Sequence, residues 1–185
     1  MINELDLYIS QGRQLYAQGH HQEALKKFKE ALRVCETIFG EDHAHTASCL
    51  NNLGAINLFT GDITEAKYYL ERALAIRERI FGPMNLNTAE SLNNIGALYH
   101  KMKDYDTSFI YFKNALEIRE NVSKKSDINI ASTLKNIAVV LYEKGNSKEA
   151  FDYISRALAI YRSILGDNHS VTVACNNQLE IIRNS

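Results

Sequence analysis

The sequence predicts an all-α solenoid: four helical hairpins of equal length followed by one capping helix. Three observations carry this expectation. First, the chain matches itself when shifted by 42 residues, so that Ala31-Leu32 falls on Ala73-Leu74, Ala115-Leu116 and Ala157-Leu158, and Asn52 falls on Asn94 and Asn136. Second, positions that recur inside a repeat, such as Leu50, Leu53, Gly54 and Asn57, step by three, one and three. That spacing describes one face of a helix and excludes the alternation of a strand. Third, turn residues punctuate each repeat in its middle, at Gly19-His20, Gly61-Asp62, Lys103-Asp104 and Gly145-Asn146. The repeats run 5–46, 47–88, 89–130 and 131–172, with a capping helix over 169–183. They fill 168 of 185 residues, so 1–185 reads as a single domain.

Repeat one is the least regular. Tyr8 takes its first large apolar slot, but Gln11 stands where later repeats have Leu53, Ile95 and Ile137. A repeat at the end of a stack has one face in water and tolerates a polar residue, which puts Met1 near an end. In repeat two, helix A spans about 44–60 and helix B about 63–81. Gly61 supplies the left-handed cap between them. Asp62, Asp104 and Asn146 are expected N-caps of the B helices, with Glu65 and Glu149 completing capping boxes. His43, Asn85, Asp127 and His169 are expected N-caps of the A helices. Asn57 occupies a slot that Tyr99 fills in repeat three and reads either as a satisfied amide at a helix interface, the favoured reading, or as a functional contact. Repeat three lacks both turn glycines: Lys103 replaces one, and Ser123-Lys124-Lys125 replaces the other. The turn 122–128 is therefore expected to be the most mobile junction. Beyond repeat four, Cys175 and Leu179 align with Cys49 and Leu53. Glu180, however, falls in the column of small residues, so no further B helix is expected on that helix.

That column, Gly12, Gly54, Gly96 and Ala138 on the A helices, marks close approach to Ala24, Ala66, Ser108 and Ala150 on the B helices. Phe28, Leu70, Phe112 and Ile154 fill the space above. No single hairpin buries enough apolar surface to stand alone, so stability is expected from stacking.

Composition narrows the function. With 21 basic and 22 acidic residues, the net charge is −1, which argues against a nucleic-acid partner. No apolar run is long enough to span a membrane, so no membrane partner is expected. The N-terminus lacks the basic and apolar blocks of a secretory signal. Cys35, Cys49 and Cys175 are too few and too scattered for a disulfide framework or a zinc site and read as buried free thiols, which points to the cytoplasm. His20 and His21 face different ways on a helix, and His43 and His45 read as turn residues, so no metal and no cofactor are expected. No phosphate loop, nucleophile elbow or HExxH motif is present, and no catalytic residues are assigned: the chain is not expected to be an enzyme.

The recurring residues resemble the tetratricopeptide repeat. Repeat three carries the match as Leu92, Ile95, Gly96, Tyr99, Tyr105, Phe112 and Ala115, and departs from it at Lys103 and Ser108. The usual repeat has about 34 residues. The longer unit here, with its LNN-[Leu/Ile]-G-A and ALAIRE…FG blocks, is similar to the type found in kinesin light chains. The extra length is most simply placed in helix B. The resemblance implies a right-handed superhelix whose concave side is lined by A helices, and a role in holding a protein or peptide partner.

Helical spacing then selects the side chains beside the buried face. Asn52, Asn94 and Asn136 form a ladder of amides, flanked by Asn51, Asn93 and Lys135. Arg13 of repeat one lies on the same face, and Tyr16, Phe59, His100 and Tyr142 are the candidate walls. An amide offers donors and an acceptor, which suits the backbone of an extended peptide. The same asparagines have a structural alternative: bonding to the neighbouring A helix and fixing the stack. The chaperone-type clamp for an acidic C-terminus fits poorly, because Asp6 and Glu90 stand where that clamp has cations. Beyond a groove-binding scaffold, the sequence leaves open a self-associating structural protein whose partner is another copy, and a regulator that senses a short peptide, as in some bacterial proteins of this family.

Overall fold

The computed structural model describes residues 2–123 and 127–185; of the turn expected to be most mobile, residues 124–126 lie outside that range. Nine α-helices and no strands are present among the described residues: α1 Ile2–Ala17, α2 His21–Phe39, α3 Ala44–Thr60, α4 Ile63–Phe81, α5 Leu86–Lys101, α6 Tyr105–Val122, α7 Ile128–Glu143, α8 Ser147–Leu165 and α9 Ser170–Arg183. The helices of repeat two begin and end where the sequence places them. The B helices, α2, α4, α6 and α8, carry 18 or 19 residues, against 16 or 17 for α1, α3, α5 and α7. The fold is an all-α helical-hairpin repeat. It divides into two compact units, Met1–Pro83 with α1–α4 and Met84–Ser185 with α5–α9.

Each hairpin closes on the small-residue column. A Cβ built on Gly12 would sit 2.8 Å from the Phe28 ring, on Gly54 2.5 Å from Leu70 Cγ, and on Gly96 2.8 Å from the Phe112 ring. The side chain above each glycine is the one that the repeat register assigns to it. Ser108, which replaces the usual alanine, is also built in: its buried hydroxyl donates to the Gly96 carbonyl at 2.7 Å. Around these contacts, the unit Met1–Pro83 packs Leu50, Leu53, Ala73 and Ile76 with residues of the first hairpin. The unit Met84–Ser185 packs Leu134, Ile137, Ile154 and Leu158, joined by Cys175 and Ile182 from α9.

The turns show where local expectation and tertiary outcome part. His43, Asn85, Asp127 and His169 all accept a backbone N–H two residues on, as N-caps. Asp62 and Asp104 cap α4 and α6 in the same sense. Asn146 stands at the N-cap of α8 but makes no side-chain cap bond. The capping boxes are a correction as well. The N–H groups of Asp62 and Asn146, which the glutamates would have to engage, already donate to Asn57 O at 2.9 Å and Leu141 O at 2.8 Å. The turn that ends helix A claims the amide that a box at the start of helix B requires. Lys103 adopts that same turn with φ 63°. Its N–H donates to His100 O and that of Asp104 to Tyr99 O, like the glycine turns.

Two polar residues in apolar columns behave differently. Asn57 is buried, and its Nδ2 donates to Leu53 O at 2.9 Å, as a satisfied interface amide should. Gln11, a polar residue tolerated at the open face of repeat one in the sequence reading, is half-buried, and its Oε1 is buried with no hydrogen-bond partner among the described residues. Thr46 closes an outer turn by donating to Gly40 O at 2.8 Å.

Candidate functional site

The candidate residues fall into two groups, one in each unit. In Met1–Pro83 they lie on α1 and α3, with an addition from α2. Tyr16, near the end of α1, and Phe59, near the end of α3, meet edge to face with ring centroids 5.8 Å apart. The imidazole of His21, at the start of α2, lies 5.1 Å from the Tyr16 ring and 4.5 Å from the Phe59 ring. Despite this packing, Phe59 remains 59% and Tyr16 38% exposed. His21 Nδ1 is buried without a partner among the described residues. The three rings form an exposed aromatic platform with a polar atom inside it. The sequence assigned Tyr16 and Phe59 as separate walls and missed His21. Adjacency to His20 said nothing of the ring partners it finds on α1 and α3.

Arg13 on α1 is exposed and Asn52 on α3 is half-buried. Asn51 is only 2% exposed, so it offers no accessible amide to a partner. Helical spacing placed it at the margin of the buried face, and packing put it inside.

In Met84–Ser185 the candidates Asn93, Asn94 and His100 sit on α5, and Lys135, Asn136 and Tyr142 on α7; all six are half-buried. A polar network joins the two helices. Asn136 Nδ2 lies 3.4 Å from Asn93 Oδ1, and Thr133 Oγ1 is at the same distance from that acceptor. Thr133 also stands 2.9 Å from Asn129 O, so its single proton serves one acceptor or the other. Behind it, the buried Arg119 of α6 donates to Asn129 O at 2.9 Å and to Thr133 Oγ1. Burial lowers the pKa of this guanidinium, and the charges of Glu90 and Asp127 oppose that shift. The arrangement holds Asn93 and Asn136 in place and uses part of their hydrogen-bonding capacity. The ladder asparagine of α7 thus makes the contact with the neighbouring A helix that the structural alternative describes. Each amide still carries hydrogen-bonding sites beyond these long contacts. His100 Nε2 is buried without a partner among the described residues, and its ring packs 5.7 Å from Tyr105.

Among the described residues no three His, Cys, Asp or Glu side chains converge to hold a metal ion. No helix among them is long and apolar enough to cross a membrane.

Comparisons with known proteins agree with this architecture. Among solved structures, BtubC (BKLC) from P. vanneervenii superposes with a TM-score of 0.76 at 23% identity, over 88% of this chain and 65% of its own. A kinesin light chain-like protein of Podosopora anserina, with nearly identical repeats, gives 0.79 at 16% identity over 97% and 85%. A Rap protein complexed with competence and sporulation factor gives 0.82 at 20% identity over 97% and 48%. The chain thus spans about two thirds of BtubC and about half of the Rap protein. No curated protein sequence matches it significantly. The tetratricopeptide repeat profile matches in four overlapping stretches, residues 4–79, 50–121, 87–163 and 129–183. Matched along nearly its whole length, and folded into the hairpins that the profile describes, the chain belongs to the tetratricopeptide repeat family.

Proposed function

We propose that the protein is an interaction scaffold that binds an extended segment of a partner protein or peptide along the faces of its A helices. The observation that carries this reading is the platform of Tyr16, His21 and Phe59. Three rings pack on one another while Phe59 keeps 59% of its surface in water. A single exposed apolar side chain needs no explanation, but clustered aromatic rings with polar atoms beside them suit an apolar anchor residue. Asn52 and Arg13 would engage the backbone and polar side chains flanking that anchor in Met1–Pro83. Asn93, Asn94, Lys135 and Asn136, with Tyr142 and His100, would do so in Met84–Ser185.

A peptide-display library selected on the whole chain, followed by titration of the enriched peptide, tests the reading. Phe59→Ala is expected to weaken binding about thirtyfold, the size of a hot-spot loss of about 2 kcal/mol, with helical content unchanged. Undiminished affinity in both Phe59→Ala and Asn52→Ala would reject it. A second reading, a sensor of one signalling factor, is favoured by the likeness to a Rap protein solved with competence and sporulation factor. It predicts that selection converges on a single short sequence, whereas a general scaffold enriches a looser motif.

A further inference from the structure

The junction between the first and second hairpins contains two thiols in contact. Cys35 on α2 and Cys49 on α3 are free, 0% and 1% exposed, and their Sγ atoms lie 3.3 Å apart. The register that brings them together belongs to the fold. In Met84–Ser185 the equivalent positions carry different chemistry: Arg119 donates to Thr133, and Tyr161 and Cys175 lie in one buried cluster. Cys175 therefore stands in the column of Cys49, but the position matching Cys35 holds a phenol instead of a second sulfur. At the first junction alone does the sequence supply this contact with two cysteines.

We propose that Cys35 and Cys49 are a modification site, closing into an intramolecular disulfide when the chain meets a small disulfide oxidant such as oxidised glutathione. The Cys35 thiolate attacks one glutathione sulfur, releasing one reduced glutathione and leaving a mixed disulfide. Cys49 then loses its proton to solvent and attacks the Cys35 sulfur, and the second glutathione leaves as thiolate and takes up a proton. Two protein thiols are oxidised and one glutathione disulfide is reduced. Bonding needs the sulfurs to approach by about 1.3 Å, to a disulfide length of about 2.05 Å. The hydrogen bond between the two sulfurs lowers the Cys35 pKa and raises that of Cys49, a direction that agrees with Cys35 attacking first. Both thiols are buried, so reagent enters through local opening. The first hairpin permits this, since within these residues α1 packs chiefly on α2. Once formed, the bridge ties α2 to α3 across the outer turn and holds together the hairpins that carry Tyr16, His21 and Phe59. A closed loop of about 15 residues lowers an unfolding equilibrium constant about a hundredfold.

The test equilibrates the whole chain in a glutathione redox buffer just below its thermal transition, then quenches with acid, alkylates with N-ethylmaleimide and maps the peptides by mass spectrometry. The expected result is a linked pair of peptides containing Cys35 and Cys49, with Cys175 alkylated. The urea midpoint should rise and return after dithiothreitol. Alkylation of both Cys35 and Cys49, glutathione retained on either, or a dominant bridge to Cys175 would each overturn the proposal. Cys35→Ser and Cys49→Ser should abolish the oxidant-dependent rise, and a rise that survives in both also overturns it. Should a variant fail to fold, the peptide map of the unaltered chain decides.

Discussion

Lys103 sets the residue scale, because one torsion angle there has a measurable cost. Its φ of 63° lies in the left-handed region, which Gly19, Gly61 and Gly145 occupy in the other inner turns. A side chain in that region costs roughly 1–2 kcal/mol. Lys103→Gly removes that strain and adds unfolded-chain entropy, for a net gain of about 0.5–1 kcal/mol in urea denaturation. An unchanged or lower midpoint would show that the lysine side chain compensates locally. Tyr69 makes the second prediction at this scale. Burial first, and the Glu65 carboxylate that its hydroxyl bonds second, push its pKa up to about 12 from an ordinary 10.0. The folded chain thus keeps this proton to about pH 12, while the unfolded chain releases it near pH 10. Stability from this group is complete below about pH 10 and declines as the pH rises towards about 12. Alkaline denaturation followed by circular dichroism should show the decline, and Tyr69→Phe should flatten it. The strained turn at Lys103 was legible in the sequence as a missing glycine. The burial of Tyr69 was not, because its apolar neighbours come from other helices.

At the scale of the element, the hairpin is decided by what the A helix lacks. Gly96 carries no Cβ, and the Phe112 ring takes that space at 2.8 Å from where one would be. Gly96→Ala should raise the helix propensity of α5 and still destabilise the protein, by about 1–3 kcal/mol, because an aromatic ring must leave its rotamer. Thermal unfolding of the variant checks this, and a rise in the melting temperature would mean the ring yields easily. The register linking each glycine to its large partner could be read from the repeat alone. The competition at the turns could not. A capping box and a helix-ending turn both draw on the N–H of Asp62, and sequence signals for the two coexist without conflict. Only the placed backbone shows that the turn takes it.

The whole molecule adds interactions that repeat from one unit to the other. Arg72 pairs with Glu36 at 3.5 Å in Met1–Pro83, and Arg156 pairs with Glu120 at 2.6 Å in Met84–Ser185, each linking successive B helices at matching positions. These pairs are partly exposed, so apolar stacking carries the stability. α9 shows this. It is an A-type helix without a B helix after it in this sequence, yet Cys175 and Ile182 are buried in the core of Met84–Ser185. Ile182→Ala should cost about 2–4 kcal/mol, read as lost hydrogen-exchange protection across α7, α8 and α9. Loss confined to α9 itself would show a loosely docked helix instead.

The sequence by itself determined the period, the helices, the small-residue columns and the family, because each follows from spacing along one chain that packing can only obey. The tertiary structure alone decided which polar groups meet. It set His21 between Tyr16 and Phe59, buried Asn51 while leaving Asn52 half-exposed, linked Asn136 to Asn93, and brought Cys35 against Cys49. A repeat fixes the face on which a side chain lies. Its partner depends on the angle and distance at which the next helix arrives, and no local pattern records either.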